Sequence, residues 1–591
     1  MKDNNSYVNT LQVIKKVVKY LAKFNRYYLS ISTLNMIIQG LLPSAMLLLF
    51  QRIINVLQTK GYELNYLLKM VVIYCLCSLF SEWLVYLYTY YTNIVSAEFD
   101  KKINIEMMNK ASNLSLKDFE NSQTYDVINR AQSQSGASIL SFISQCLEMI
   151  RSGVTIISMF VLLITYRWWM AIVVILIPVI KCVVTIKIDN EWYKIKLERT
   201  EKERKAWYIV FLFMTGNAHK EIMVLGIKKY LLRKCEKLKD YIIFQNKKMY
   251  KKSMLWAIIL EIGDAVASGG MYIYTLLQGY KGVILIGNVV TYLECIKNVQ
   301  NNLNGIFSQI SNIVQQSLYI NLYFQFMDLE ENKKTGNLKI NCIENIELVN
   351  VSYKYNGSED YAIKDISLKL CRGETIGIVG ENGSGKSTLI KVILGFYDDY
   401  EGIILVNGIN LREIDKQSYI SQIGVVFQDY IKFEGTIREN IGYGNLHLFN
   451  SDLEILKFVD EMKLNKVMNT YEKLDTCLGN WFGRQISGGE WQRLAIARAM
   501  IRDADFLVLD EPDASIDINK QLELLNVYKN YLSKKMGIFI SHKVSGVHYV
   551  VSQICVLESG RIIEEGTHSE LINMDSQYKE MFEKSRIIEK G

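Results

Sequence analysis

The residues Gly380-Glu381-Asn382-Gly383-Ser384-Gly385-Lys386-Ser387 fit the spacing G-x-x-x-x-G-K-[ST], which serves to grip the phosphates of a nucleotide. Glycines let backbone N–H groups approach phosphate oxygens with no Cβ in the way, and a helix opening at Lys386 turns its positive end toward them. In that arrangement Lys386 reaches the β- and γ-phosphates and the Ser387 hydroxyl coordinates Mg²⁺. Asn382, Ser384 and Thr388 belong to the same cradle. Further along, the apolar run 506–509 ends in Asp510-Glu511. A carboxylate at a strand tip can hold Mg²⁺, and the next can polarise an attacking water. An apolar run before Asp-Glu is common by itself. Downstream of a phosphate loop it points to hydrolysis of a nucleoside triphosphate.

Such residues need a parallel sheet to hold them. From about residue 344 the apolar runs shorten to strand length and glycines mark the turns, as in an α/β domain. Residues 375–379 read as the buried strand that feeds the loop, and 326–345 as a linker.

The first half is of another kind. A membrane span needs about 20 mostly apolar residues. Residues 29–50 carry no charge, 71–95 carry only Glu82, and 152–186 carry only Arg167 and Lys181. The last run is too long for one helix and should turn at Tyr166-Arg167. Residues 253–280 form a fifth candidate, interrupted by Glu261 and Asp264, and a sixth starts at Gly282 and soon becomes polar. The stretch 187–252 holds eighteen Lys and Arg against eight Asp and Glu, which places it, the 96–137 loop and both termini on the cytoplasmic side. Long inner loops and short outer links imply helices that project well beyond the bilayer. Lys15, Lys16, Lys19 and Lys23 make an amphipathic stretch expected to lie on the inner membrane face, within an N-terminal segment 1–26.

Composition narrows the classes further. At 591 residues the chain holds roughly four domain-equivalents. With 50% hydrophobic residues, 22% charged and three prolines, it is neither disordered nor collagen-like. A net charge of +7 is too small for its size to suggest a nucleic-acid partner. The ten cysteines form no C-x-x-C pair, so neither a disulfide framework nor a zinc site is expected. None lies in the first 70 residues, which argues against an N-terminal cysteine protease, and the start reads as no signal peptide.

Ile486-Ser487-Gly488-Gly489-Glu490, opening the helix WQRLAIARAM, makes the resemblance plain. Residues 346–591 resemble the nucleotide-binding domain of an ATP-binding cassette transporter, and the whole chain resembles an exporter-type half-transporter. The resemblance implies a multidomain fold: the 1–26 segment, a six-helix transmembrane domain over 27–327, a linker over 328–345, and an α/β P-loop ATPase domain. It implies that Tyr355 stacks on adenine, Gln428 touches Mg²⁺ beside Ser387 and Asp510, Glu511 is the catalytic base, and His542 bonds the γ-phosphate. Ser487, Gly488, Gly489 and Glu490 would act in trans on the partner's ATP, with Asp517 in the loop (514–517) that meets the opposite subunit. The expected assembly is a homodimer, or a pair with a sibling half-transporter, embedded in the lipid of the cell membrane. Segments near 118–126 and 209–218 would be its coupling helices.

Ile486 and Glu490 stand where the family commonly has leucine and glutamine, Asp513 and Ser515 occupy less usual positions, and 478–483 (LGNWFG) replaces the usual glutamate-bearing loop. The pair LGNWF and SGGEWQR is similar to exporters of lanthipeptide- and lasso-type peptides. Because charges inside spans tend to face a cavity, Glu82, Tyr86, Tyr90, Glu261 and Asp264 are expected to line an acidic, tyrosine-rich passage for a cationic amphipathic peptide. The alternative is that the acids pair with Lys181 or lie at the water line. Competing functions are a multidrug or lipid-linked glycan exporter and an ATP-gated regulator that does not pump.

Overall fold

The computed structural model describes residues 3–59, 63–121, 124, 127–128, 131, 136–215, 218–331, 336–468, 472–479, 483–512, 518–541 and 544–590. They form two compact units. Met1–Asn113 and Asn121–Leu329 make the first; Leu114–Glu120 and Glu330–Gly591 make the second.

The helices through residue 327 are α1 (Asp3–Phe24), α2 (Tyr28–Thr59), α3 (Leu64–Ser112), α4 (Leu116–Glu120), α5 (Gly136–Tyr166), α6 (Trp168–Met214), α7 (His219–Val224), α8 (Lys228–Tyr280) and α9 (Ile286–Met327). All but α4 belong to the first unit. Among the described residues, α2, α3, α5, α8 and the stretch Trp168–Ile188 of α6 are long and apolar enough to cross a membrane. At 1.5 Å per residue, the 49 residues of α3 extend about 74 Å, far beyond a hydrocarbon core of about 30 Å. The turn falls where expected: α5 ends at Tyr166 and Arg167 is extended at the head of α6. Pro43 and Pro178 sit inside α2 and α6, as membrane helices tolerate. Helix α8 is a single helix through Glu261 and Asp264, the two charges that interrupt its apolar run. The apolar stretch 209–214 of the expected coupling segment contains no helix breaker and continues α6; a separate short helix, α7, follows at His219–Val224, and 216–217 lie outside the described residues.

Helix α1 shows how charge pattern fixes orientation. Val13, Val17 and Leu21, four residues apart, are buried in a core with Phe99, Ile143 and Ile320, leaving Lys15, Lys19 and Lys23 in solvent. Gly40 lets α2 approach α5 closely: a Cβ there would lie 2.8 Å from the Arg151 carbonyl, and Thr155 donates to the Gly40 carbonyl at 3.0 Å.

In the second unit, a four-stranded antiparallel sheet runs in the order β2 (Ile363–Cys371), β1 (Asn345–Tyr353), β4 (Glu401–Val406), β5 (Ile409–Asn410). A six-stranded sheet runs β12 (Arg561–Gly566), β11 (Gln553–Glu558), β3 (Thr375–Val379), β10 (Met536–Ile540), β9 (Phe506–Asp510), β6 (Ile423–Val426), parallel except at β12. The short pair β7 (Gly435–Thr436) and β8 (Cys477–Leu478) lies apart. Every residue of β3, β9 and β10 is buried, which is why these strands read as unbroken apolar runs. Parallel register aligns Ile540 with Asp510, so these strands open at the same edge as the loop after Val379. Ligand sites in such sheets form at that carboxyl edge.

Candidate functional site

The loop leaves β3 and enters helix α10 (Lys386–Ile393). Gly380, Gly383 and Gly385 take φ of 155°, 82° and 105°. A Cβ at Gly385 would lie 2.4 Å from the Ala362 carbonyl, so both its conformation and its closeness to that backbone demand glycine. Asn382, Gly383 and Ser387 are open to solvent, whereas Ser384, Lys386 and Thr388 are buried. Lys386 Nζ donates to the carbonyls of Gly380 (2.9 Å) and Glu381 (2.8 Å). Burial lowers its pKa, against the opposing pull of Glu511 and Asp510. Ser384 Oγ is buried with no hydrogen-bond partner. A cationic cradle of this kind, with an unsatisfied buried hydroxyl, fits a polyphosphate.

Asp510 ends β9 in a buried position. Burial, and next the charge of Glu511, push its carboxyl up to about 6. A divalent cation beside it would remove that penalty, so the donor set Ser387, Gln428 and Asp510 fits Mg²⁺. Glu511 sits at φ 51°, in the left-handed region. Its N–H donates to the Ile540 carbonyl at 3.0 Å, its carbonyl accepts from buried Gln492 Nε2 at 3.1 Å, and Gln428 Nε2 donates to its Oε2 at 2.9 Å. Two backbone contacts and one to the carboxylate thus hold this residue in place.

The raised Asp510 carboxyl has a testable sign. A folded-state pKa above the ordinary carboxylate value of 3.8 contributes stability fully present at low pH and lost as pH rises through about 6. Asp510→Asn is therefore expected to unfold at higher temperature than the parent at neutral pH without nucleotide, with a flatter pH profile between about 4 and 7. It should also lose the added stabilisation given by Mg²⁺ with nucleotide. Thermal unfolding across pH checks this; identical profiles for parent and variant would count against it.

Ser487 caps helix α11 (Gly488–Met500) in a reciprocal box. Its N–H and hydroxyl both donate to Glu490 Oε2 at 2.8 Å, and the Glu490 N–H donates back to Ser487 Oγ at 3.3 Å. Burial alone would raise the Glu490 pKa; the hydrogen bonds from Ser487 outweigh it and hold the carboxyl below its ordinary value. The departure at Glu490 thus has a local reason, the S-x-x-E capping box. Among the described residues, the polar contacts of this turn are its own box and Tyr430, whose hydroxyl donates to the Gly488 carbonyl at 3.0 Å. His542 and Asp517, and the 514–517 loop with them, lie outside the described residues, as do 480–482 of the 478–483 segment.

Tyr355 is half-buried. Its hydroxyl lies 3.1 Å from Thr388 Oγ1, and its ring meets Tyr353 and Tyr397 edge-on at 5.3 and 5.9 Å. Tyr397 stacks on Tyr353 at 4.6 Å and donates to both oxygens of Glu120 at 2.9 Å. Glu120 also accepts from Lys391 of α10 at 3.1 Å, and Lys117 pairs with Asp399. Helix α4 is thereby bonded to the far end of the helix that Lys386 opens. Residues 122–123 and 125–126 of the expected coupling segment lie outside the described residues. Gln492 and Tyr397 were not legible as site residues; a glutamine spaced to fall on the buried face of α11 was the available sign.

In the first unit, Lys181 Nζ bridges Glu261 (2.8 Å) and Asp264 (3.1 Å), and Gln300 donates to Asp264 at 2.9 Å. The pairing alternative describes these two acids. Glu148 pairs with Arg151. Glu82, Tyr86 and Tyr90 are exposed along α3.

Comparison with known proteins covers both units. The family described as "ABC transporter" matches residues 363–514, and the "ABC transporter transmembrane region" matches residues 29–302. The "Subtilin transport ATP-binding protein SpaT" of Bacillus subtilis is 36% identical over 93% of this chain and 90% of its own length. The "Nisin transport ATP-binding protein NisT" of Lactococcus lactis is 31% identical over 97% and 96%. The "ATP-dependent lipid A-core flippase" of Escherichia coli K12 is 25% identical over 78% and 77%. A solved structure of a bacterial Atm1-family ABC exporter with ATP bound superposes with a TM-score of 0.75 at 21% identity, covering 95% of this chain and 98% of that one.

Proposed function

The chain belongs to the ABC transporter family, and we propose that it exports ribosomally made, modified peptides at the expense of ATP, as a dimer whose two ATPase domains close over two ATP. The observation that carries this reading is one chain joining helices able to cross a membrane to a phosphate cradle with both carboxylates in place. End-to-end likeness to transporters named for subtilin and nisin supports the cargo class.

In this reading the loop 380–388 binds the triphosphate through backbone N–H groups, with Lys386 at the β- and γ-phosphates. Tyr355 faces the base. Glu511, aimed by Gln428 and by its fixed backbone, takes the proton of the attacking water. Ser387, Gln428 and Asp510 would hold a Mg²⁺ ion, which would supply neutralising charge at the phosphates. Ser487, Gly488, Gly489 and Glu490 close over the partner's ATP, with Asp517 at the subunit boundary and His542 at the γ-phosphate. ATP shifts the inward–outward equilibrium only by binding one state more tightly, and the closed dimer supplies that difference. A homodimer has two competent sites; a sibling half-transporter could replace the second copy. The basic 187–252 stretch supports a cytoplasmic ATPase domain and termini in a cell-membrane protein.

A lipid cargo is the second reading, favoured by likeness to the lipid A-core flippases. Proteoliposomes with the ATPase domain outward separate the two. A fluorescent cationic amphipathic peptide should accumulate inside only with Mg²⁺ and ATP, and not with Glu511→Gln. Movement of a fluorescent phospholipid without peptide uptake would favour the flippase.

A further inference from the structure

Helix α9 carries a polar face without charge. Asn301, Ser308, Asn312, Gln315 and Tyr319 are exposed there, with Asn304 half-exposed among them. Spacings of three or four residues set all six on one stripe. From residue 298 to 317 no large hydrophobic side chain of α9 is exposed. On the apolar stretches of α3 and α8 the exposed positions include Val72, Leu76 and Leu79, and Ile258, Ile262 and Val266, whereas the polar stretches of α6 and α8 expose mainly charges such as Lys202, Lys205, Lys234 and Lys237. Helix α9 is also absent from the set apolar enough to cross by composition alone. Amides facing hydrocarbon without partners are costly, so this stripe faces water, protein or cargo. Toward its C-terminal end a groove of about 400 Å³ opens between Ser138 and Ser141 of α5 and Gln316 and Tyr319 of α9. Gln316 Oε1 is buried there with no hydrogen-bond partner. Glu261 and Asp264, in contrast, are already bridged by Lys181.

We propose that this stripe and its groove, rather than the acidic residues, hold the cargo, and hold it as an extended polypeptide bonded through its main chain. The inference rests on the peptide-export reading and deepens it. Asparagine and glutamine each donate and accept, the same complement as a peptide group, and carry no charge by which to select a side chain. From Asn301 to Tyr319 the helix rises about 27 Å, the length of about eight residues of extended chain. The groove is of the size that ligand sites commonly have. A passage built this way accepts many sequences and refuses a cargo that lacks backbone donors.

The test uses the full-length protein in liposomes, with ATPase titrated against an uncharged synthetic Gly-Ser-Thr-Leu peptide and its backbone N-methylated counterpart. The first is expected to stimulate and the second not. Asn312→Leu with Gln315→Leu should raise the half-stimulating concentration about tenfold, as loss of two net hydrogen bonds would, and leave unstimulated ATPase as it was. Glu261→Gln with Asp264→Asn should leave that concentration unchanged. Should leucine disturb the packing, Asn312→Ala with Gln315→Ala repeats the test by truncation alone. Equal stimulation by the N-methylated peptide, or an unmoved titration in both double variants of the stripe, overturns the proposal. So does Asn312→Cys cross-linking between two chains regardless of peptide, which would make the stripe a subunit contact. If peptide uptake persists through those results, the export reading survives and only this inference falls. A parent protein indifferent to every peptide, in both ATPase and uptake, removes both.

Discussion

A Glu511→Gln chain is expected to bind Mg²⁺ and ATP with nearly unchanged affinity and to turn ATP over at least about 100-fold more slowly, the usual worth of a positioned general base. The change is isosteric. The Glu511 backbone keeps its contacts with Ile540 and Gln492, and the side-chain amide retains an oxygen that Gln428 can meet. What disappears is the proton acceptor and one of two adjoining negative charges. Since the Glu511 charge helps raise the Asp510 carboxyl, the variant should also ionise Asp510 at lower pH. With ATP bound and uncleaved, the closed dimer should accumulate, measurable as a shortened distance between spin labels on the two ATPase domains. Turnover within a few-fold of the parent would remove Glu511 from the chemistry.

Lys386→Ala should fail one step earlier. Its ammonium is buried and held at the loop by the Gly380 and Glu381 carbonyls, so alanine leaves the phosphates facing a cradle without its cation. A charge-assisted hydrogen bond is worth about 1.5–3 kcal/mol net, and removing the bonds to both the β- and γ-phosphates should weaken ATP binding by at least about 30-fold. Calorimetric titration of the two variants makes the distinction: one binds without cleaving, the other hardly binds. If both bind alike, Lys386 does not reach the phosphates.

The phosphate loop and the Asp510-Glu511 pair were legible because each is a local pattern fixed by strand-to-loop geometry, read along the chain without knowledge of any distant contact. The five apolar helices were legible for the same reason, and so was the turn at Tyr166-Arg167. Readings stayed open where the deciding partner is remote. Lys181 meets Glu261 and Asp264 across helices α6 and α8, the pairing alternative, so two charges that looked costly in a span are compensated. The apolar residues at 209–214 left the end of α6 open, because such residues continue a helix as readily as they end one. Glu490 looked like a departure from a pattern, yet the same four residues spell a helix cap. Gln492 gave no separate sign, since its meaning lies in a backbone carbonyl nineteen positions away. The uncharged face of α9 was visible as polarity but not as orientation, which only packing reveals.

Helix α4 has a practical corollary for anyone building chimaeras. Its sequence lies among the membrane helices, yet Lys117 and Glu120 are bonded to Asp399, Lys391 and Tyr397, and its seven-residue segment belongs with the ATPase unit. Grafting a foreign motor by a single cut in the 328–345 linker would strand Lys117 and Glu120 opposite unrelated side chains. A working transplant should exchange 114–120 as a second, non-contiguous insert, so that the motor arrives with its own socket.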